Sequence, residues 1–116
     1  MKLFLKLVLL LLISSCCVES DNTANAIGID VSHYQGHVNW PLIKKSGYSF
    51  AYIKVSEGET ISDPKFKDNW MGASKEALLH GGYHVFTAGD LGKKQAKNFL
   101  ENLKRVQYDY HGYLPP

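Results

Sequence analysis

The chain has 116 residues, with 13 basic and 11 acidic side chains and two cysteines. This length allows one small domain at most. Without Lys2 and Lys6, which lie in the N-terminal segment, the basic and acidic residues balance at 11 each. A neutral chain gives no electrostatic reason to bind nucleic acid, and two adjacent cysteines exclude a disulfide framework.

Residues 1–16 predict an export signal, because two lysines precede a short apolar run from Leu7 to Ile13. That run is shorter than the roughly 20 apolar residues of a membrane-spanning helix. The segment Ile13-Ser14-Ser15-Cys16 resembles the lipobox of bacterial lipoproteins, which implies acylation of Cys16 and attachment to a membrane through lipid. An ordinary cleaved signal peptide and an uncleaved anchor helix are the alternatives. Residues 17–26 are polar and predict a tether.

Three strand patterns alternate with three helix patterns along the rest of the chain. Asp63 is a good N-cap for the second helix, with Pro64 at its first position, and Gly81-Gly82 is expected to end it. The third helix is expected to bury a stripe formed by Ala96, Phe99, Leu100, Leu103 and Val106. The order β-α-β-α-β-α predicts a parallel sheet with helical crossovers. The predicted strands are 26–31, 49–55 and 83–86, and the helices lie near 39–47, 63–80 and 93–107.

Acids and aromatic residues gather where the predicted strands end, which is where α/β sheets bind ligands. Carboxylates and aromatic rings are what a sugar-binding cleft uses, since rings stack on pyranoses and acids catalyse glycosyl transfer. Asp30 could instead cap a turn, Glu57 could bind backbone amides, and the aromatic residues could serve packing. The five histidines do not cluster with other ligands, so no metal site is expected. The candidate residues are Asp30, Tyr34, Gln35, Glu57, Tyr83, His84 and Phe86.

The segments 30–36 (DVSHYQG), 50–58 (FAYIKVSEG) and 82–86 (GYHVF) resemble successive strand ends of glycoside hydrolase family 25 lysozymes, the Chalaropsis-type muramidases. The resemblance extends over residues 27–116. It implies a modified β/α barrel of the TIM type, no cofactor, and hydrolysis of the β-1,4 bond between N-acetylmuramic acid and N-acetylglucosamine in peptidoglycan. Asp30 matches the family's first-strand acid, which implies a supporting electrostatic role.

The resemblance also implies that the general acid of the family is absent from this sequence. The family's general acid is a glutamate in an Asp-x-Glu motif that ends the fourth strand, after a segment like 112–116 (GYLPP). The residues therefore resemble the first three β/α units of a barrel that needs about 250 residues. We expect a truncated domain that is inactive alone. The alternatives are a non-catalytic glycan-binding envelope lipoprotein, a relic, or a chain that assembles with a second chain.

Overall fold

The computed structural model describes residues 25–108, with side chains described as far as Val106. The predicted export signal and Cys16 lie outside these residues. Within the described part of the chain, no helix has the length and apolarity needed to cross a membrane. The elements are β1 (Gly28–Val31), a 3₁₀ turn (His33–Gln35), α1 (Trp40–Lys45), β2 (Phe50–Glu57), β3 (Ile61–Ser62), α2 (Phe66–Lys75), β4 (Leu79–Val85) and α3 (Gly92–Tyr108).

The sheet is centred on β2, which pairs in parallel with β1 on one side and β4 on the other. The short strand β3 pairs antiparallel with the end of β2, at Ser56 and Glu57. Gly58 has a φ of 53° in the turn between β2 and β3, a left-handed conformation that glycine adopts without strain. The prediction of parallel strands with helical crossovers is confirmed, and β3 is an addition to it.

The hydrophobic core lies between the sheet and its helices. Ile53 and Val55 of β2 are fully buried against α2 and α3, and each contributes about 1.5–3 kcal/mol by leaving water. Gly82 of β4 allows this close packing, because a Cβ at that position would lie 2.5 Å from a methyl group of Val55. The core cluster consists of Val31, Trp40, Ala51, Ile53, Val55, Phe66, Ala73, Leu78 and Val106.

Several predicted boundaries are wrong. The third parallel strand begins at Leu79, so Gly81 and Gly82 lie inside a strand and do not end the preceding helix. That helix begins at Phe66 and not at Pro64. Asp63 Oδ1 accepts from the backbone N–H of Lys65 in the turn before the helix, and Oδ2 accepts from the backbone N–H of His33. Asn39, by contrast, caps α1 as predicted, accepting a hydrogen bond from the backbone of Leu42.

The buried face of α3 is amide-rich, and the predicted apolar stripe is only partly right. Ala96 and Leu100 are exposed, whereas Asn98 and Asn102 are buried. Asn98 Nδ2 donates to the carbonyls of Gly58 at 3.0 Å and Ile61 at 3.1 Å, so it anchors the β2–β3 hairpin. The Gly58 carbonyl is buried and would otherwise lack a donor, which explains why an amide occupies a core face.

Candidate active site

One face of the sheet carries polar side chains and is not covered by a helix of the described residues. Since side chains alternate along a strand, Asp30 of β1 and Tyr83 of β4 lie on the face opposite the core. Their register neighbours on β2 share this face, because Asp30 pairs with Tyr52 and Tyr83 pairs with Lys54. We refer to Asp30, Tyr52, Lys54, Glu57 and Tyr83 as the open face.

A bulge in β2 turns Glu57 onto the open face. Lys54 of β2 pairs with Tyr83 of β4, and Ser56 pairs with the next residue, His84. Val55 is therefore an extra residue of β2 without a partner in β4. A bulge of this kind shifts the alternation of the strand, which places Lys54 and Glu57 on the same side although they are three residues apart. Glu57 Oε2 accepts a hydrogen bond from Lys54 Nζ at 2.6 Å.

Lys54 is a buried cation held by this pair, with 4% of its surface exposed. Its hydrogen bond to Glu57 raises the pKa of Lys54 above its ordinary value of 10.5, against the lowering effect of burial. The Lys54 ammonium also lies 5.7 Å from the centre of the Tyr34 ring, within the range of a cation–π contact. Lys54 therefore links the end of β2 to the loop that follows β1.

Asp30 and Tyr83 form the second half of the open face. Burial, followed by the nearby charge of Asp30, raises the pKa of Tyr83 above its ordinary value of 10.0, so the phenol is a hydrogen-bond donor at neutral pH. Asp30 is exposed, and its carboxylate makes no hydrogen bond or ion pair with the described side chains. It is thus available to an incoming ligand.

The 3₁₀ turn after β1 holds Tyr34 at the rim. Ser32 and Gln35 close this turn as a capping box, in which Gln35 Oε1 accepts from the backbone N–H of Ser32 at 2.7 Å. Gln35 is therefore committed to the turn and does not present this oxygen to a ligand. Tyr34 is 80% exposed and presents its ring to solvent.

Asp63 holds the start of this 3₁₀ turn in place through His33. Its side chain is fully buried, and Oδ2 accepts from the backbone N–H of His33 at 3.0 Å and contacts Nδ1 of the His33 ring at 2.8 Å. Oδ1 accepts from the backbone N–H of Lys65 at 2.9 Å. Asp63 therefore joins the loop after β1 to the segment that enters α2.

His84 lies away from the open face. His84 points toward α3, where Nε2 faces Gln95 Oε1 at 3.0 Å and Nδ1 faces Ser56 Oγ at 2.9 Å. Because Gln95 Oε1 also accepts from the backbone of Thr87, it requires His84 Nε2 to donate. Phe86 follows the end of β4 and is 67% exposed. The structure thus brings Asp30, Tyr34, Glu57 and Tyr83 together and separates His84 from them.

The other acids near this end of the sheet are occupied. Glu57 is paired with Lys54, and Asp63 is buried under its three donors. Glu59 accepts from the backbone of Leu91 at 2.8 Å and pairs with Lys94 at 3.0 Å, and the first of these contacts lowers the pKa of Glu59 below its ordinary 4.5. Asp30 is therefore the one carboxylate of the open face that no described residue engages.

The sequence patterns did not single out Lys54 or the true role of Asp63. A lysine inside an otherwise apolar, β-branched strand is the signal that could have found Lys54, since a buried charge requires a partner. Asp63 precedes a proline and matches a helix cap, so its bonds to His33, thirty residues earlier, have no local signature.

An unpaired carboxylate, a neutral phenol and an exposed aromatic ring suit a polyhydroxylated ligand. The carboxylate accepts hydrogen bonds from hydroxyl groups, the phenol donates, and the ring offers an apolar surface. Among residues 25–108, no three His, Cys, Asp or Glu side chains come together in a way that could hold a metal ion. Glycosidic bond cleavage ordinarily requires two carboxyl groups across the bond.

Comparison with protein families gives a match to the model of glycosyl hydrolases family 25 over residues 29–115. Lysozyme M1 of Streptomyces globisporus is 40% identical over 82 residues, which are 70% of this chain and 28% of that protein. The N,O-diacetylmuramidase of Chalaropsis sp is 34% identical over 77 residues, which are 63% of this chain and 36% of that protein. The chain thus spans about a third of the length of these relatives.

Solved structures show the same likeness. The bacterial lysozyme from Streptomyces coelicolor superposes with a TM-score of 0.65 at 40% identity, over 70% of this chain and 38% of that one. A family 25 glycosyl hydrolase from Bacillus anthracis superposes with a TM-score of 0.63 at 39% identity, over 65% of this chain and 35% of that one. The mixed α/β sheet described above is thus similar to the corresponding part of these enzymes.

Proposed function

The chain belongs to glycosyl hydrolases family 25. We propose that its function is that of a peptidoglycan muramidase, which hydrolyses the β-1,4 bond between N-acetylmuramic acid and N-acetylglucosamine. The observation that carries this proposal is the unpaired Asp30 carboxylate on the open face, beside the neutral phenol of Tyr83. The names lysozyme and muramidase among the relatives support the substrate.

In this proposal Asp30 supplies negative charge next to the sugar ring that reacts, where an oxocarbenium-like transition state gains positive charge. Tyr83 donates a hydrogen bond to the sugar, and the exposed ring of Tyr34 stacks on an apolar sugar face. Glu57 acts through Lys54, since their ion pair fixes the shape of the cleft wall.

The carboxyl groups near the open face also bear on whether the 116-residue polypeptide can cleave glycan by itself. A general acid must be a carboxyl group free to hold and release a proton near the scissile oxygen. Glu57, Glu59 and Asp63 are each engaged by donors within 3.0 Å. Asp30 is the unengaged acid and has the electrostatic role given above, so residues 25–108 offer no second free carboxyl group near this end of the sheet. We therefore expect this polypeptide to bind glycan without cleaving it. This expectation favours, as the second candidate function, a glycan-binding envelope protein.

Further parts of the proposal concern architecture and location. The units β1–α1, β2–α2 and β4–α3 would correspond to the first three β/α units of a TIM-type barrel, with the open face lining its interior. Export and lipid attachment at Cys16 rest on the pattern of residues 1–16 and would bring the glycan-binding residues to the cell envelope.

Changing Asp30 to asparagine is expected to weaken binding to insoluble peptidoglycan about tenfold. The substitution keeps the size of the side chain but removes a charged acceptor, and hydrogen bonds to charged groups contribute about 1.5–3 kcal/mol. Cosedimentation over a range of peptidoglycan concentrations gives the apparent Kd of each protein.

Glu101→Gln is the matched control, because it removes the same charge from an exposed pair with Lys97 on α3. Its Kd should equal that of the unaltered chain. Equal binding by the Asp30→Asn variant would remove Asp30 from the glycan site and, with it, the observation on which the proposed function depends.

A further inference from the structure

A groove separate from the open face lies between the loop before α1 and one side of α2. It has a volume of about 330 Å³, which is within the range of small-molecule sites. Its wall is formed by Trp40 and by Asn69 and Gly72 of α2, and its rim carries His37, Lys65 and Lys75. None of these residues has a part in the proposed glycan chemistry.

Asn69 presents a buried donor that has no acceptor. The residue is 3% exposed, and its Nδ2 is the one buried side-chain nitrogen or oxygen without a hydrogen bond among the described residues. A buried amide N–H that lacks a partner destabilises the fold by about 1–3 kcal/mol, so such groups are rare in native proteins. Because Asn69 lines the groove, rotation of its side-chain amide would bring Nδ2 to an oxygen acceptor of a ligand there.

Trp40 brings a second donor to the same wall. A Cβ at Gly72 would lie 2.3 Å from Trp40 Nε1, so the indole N–H rests directly on α2 where glycine leaves space. Gly72 follows Asn69 by three residues, and positions three apart are neighbours on one helix face. Within the described part of the chain, the indole nitrogen makes no hydrogen bond.

The charges at the rim favour an anion over a neutral acceptor. Lys65 is paired with Asp68 at 3.3 Å, and these two exposed charges offset each other. No ion pair of Lys75 is found among the described residues, which leaves one positive charge at the groove. Two N–H donors that line the same groove as an unpaired lysine are the groups that a carboxylate, with its two oxygens, requires.

We propose that this groove binds a small carboxylate, with Asn69 Nδ2 and Trp40 Nε1 donating to its oxygens and Lys75 balancing its charge. The apolar side of the indole accommodates a short aliphatic group attached to the carboxylate. This site is independent of the proposed muramidase function, because it uses none of the residues of the open face.

Titration of the ¹⁵N-labelled chain with sodium acetate tests the proposal directly. The indole N–H signal of Trp40 and the side-chain NH₂ signals of Asn69 should shift and saturate, with a Kd on the order of millimolar for so small a ligand. Trp70, the other tryptophan of the chain, serves as an internal control, and its indole signal should stay in place. N-methylacetamide, which is neutral and of similar size, should bind at least fivefold more weakly.

Variants separate binding from folding. Asn69→Leu should abolish saturation by acetate and, by removing the unsatisfied donor, raise the Tm by about 4 °C or more. Lys75→Gln should weaken acetate binding about threefold, whereas Asp68→Asn should strengthen it about twofold. Lys104→Gln, on the exposed side of α3, removes the same charge away from the groove and should change nothing.

Three results would overturn the proposal: no saturable shift of the Trp40 and Asn69 signals, equal binding of N-methylacetamide, or a lowered Tm for Asn69→Leu. The first would mean that solvent alone occupies the groove. The second would mean that charge does not select the ligand, and the third would mean that Asn69 is satisfied within the fold.

Discussion

Changing Glu57 to glutamine is expected to lower the free energy of unfolding by about 2–3 kcal/mol, because it leaves the Lys54 ammonium buried without its anion. Removing one partner of a buried ion pair costs about 3–5 kcal/mol, and we take a smaller value because the Glu57 side chain is 33% exposed. The cation–π contact with Tyr34, at 5.7 Å, replaces only part of the lost interaction. Urea denaturation followed by circular dichroism gives the difference.

Glu101→Gln is the control for this substitution. It makes the same chemical change in an exposed pair with Lys97, where the N–O distance is 3.6 Å. Exposed pairs contribute little, so this variant should stay within about 0.5 kcal/mol of the unaltered chain. Equal effects of the two substitutions would show that Lys54 does not depend on Glu57.

The pH dependence of the Glu57→Gln effect follows from the direction of the Lys54 pKa. The hydrogen bond to Glu57 raises the pKa of Lys54 above 10.5 in the folded chain, so the stabilisation is fully present below that pH and is lost as the pH rises through the folded value. The stability difference between the two proteins should therefore shrink above pH 10.5.

Changing Asp63 to alanine is expected to lower the free energy of unfolding by about 2–4 kcal/mol. The backbone N–H groups of His33 and Lys65 would lose their acceptor, and so would the His33 ring. Each buried donor without a partner costs about 1–3 kcal/mol, and partial access of water to His33 limits the total. Thermal and urea denaturation measure the change.

Asp68→Ala is the matched control, because it makes the same substitution at an exposed position of α2. Its pair with Lys65 is at the surface, so we expect a change within about 0.5 kcal/mol. Asp63→Asn, which keeps one acceptor oxygen, should fall between the two. A loss for Asp63→Ala no larger than that for Asp68→Ala would mean that Asp63 does not secure the loop after β1.

Local patterns were enough to predict most of the architecture. The apolar, β-branched residues of β2 and the cap at Asn39 are short-range signals, and both appear in the structure as expected. The prediction that Gly81-Gly82 ends a helix is wrong, because glycine interrupts helices but also permits close packing within a sheet. Gly82 is needed where Val55 packs against it, and that contact joins residues 27 positions apart, so no local pattern reveals it.

The candidate site could be predicted in position but not in detail. Strand ends indicated Asp30, Glu57 and Tyr83, and these residues do share one face. The position of Glu57 depends on the bulge at Val55, and no residue type in the sequence indicates that bulge. The orientation of His84 and the burial of the α3 amides could not be predicted for a related reason. Their partners are carbonyls, hydroxyls and amides of distant segments, and hydrophobic periodicity does not report on such bonds.

The central claim is that Asp30 and its neighbours bind peptidoglycan while no described carboxylate serves as the proton donor. The most direct test is to incubate the 116-residue chain with insoluble peptidoglycan and measure both the bound protein and the reducing ends released. We predict saturable binding, with reducing ends no higher than in buffer. Release of reducing ends that increases with time and protein concentration, or the absence of binding, would contradict the account.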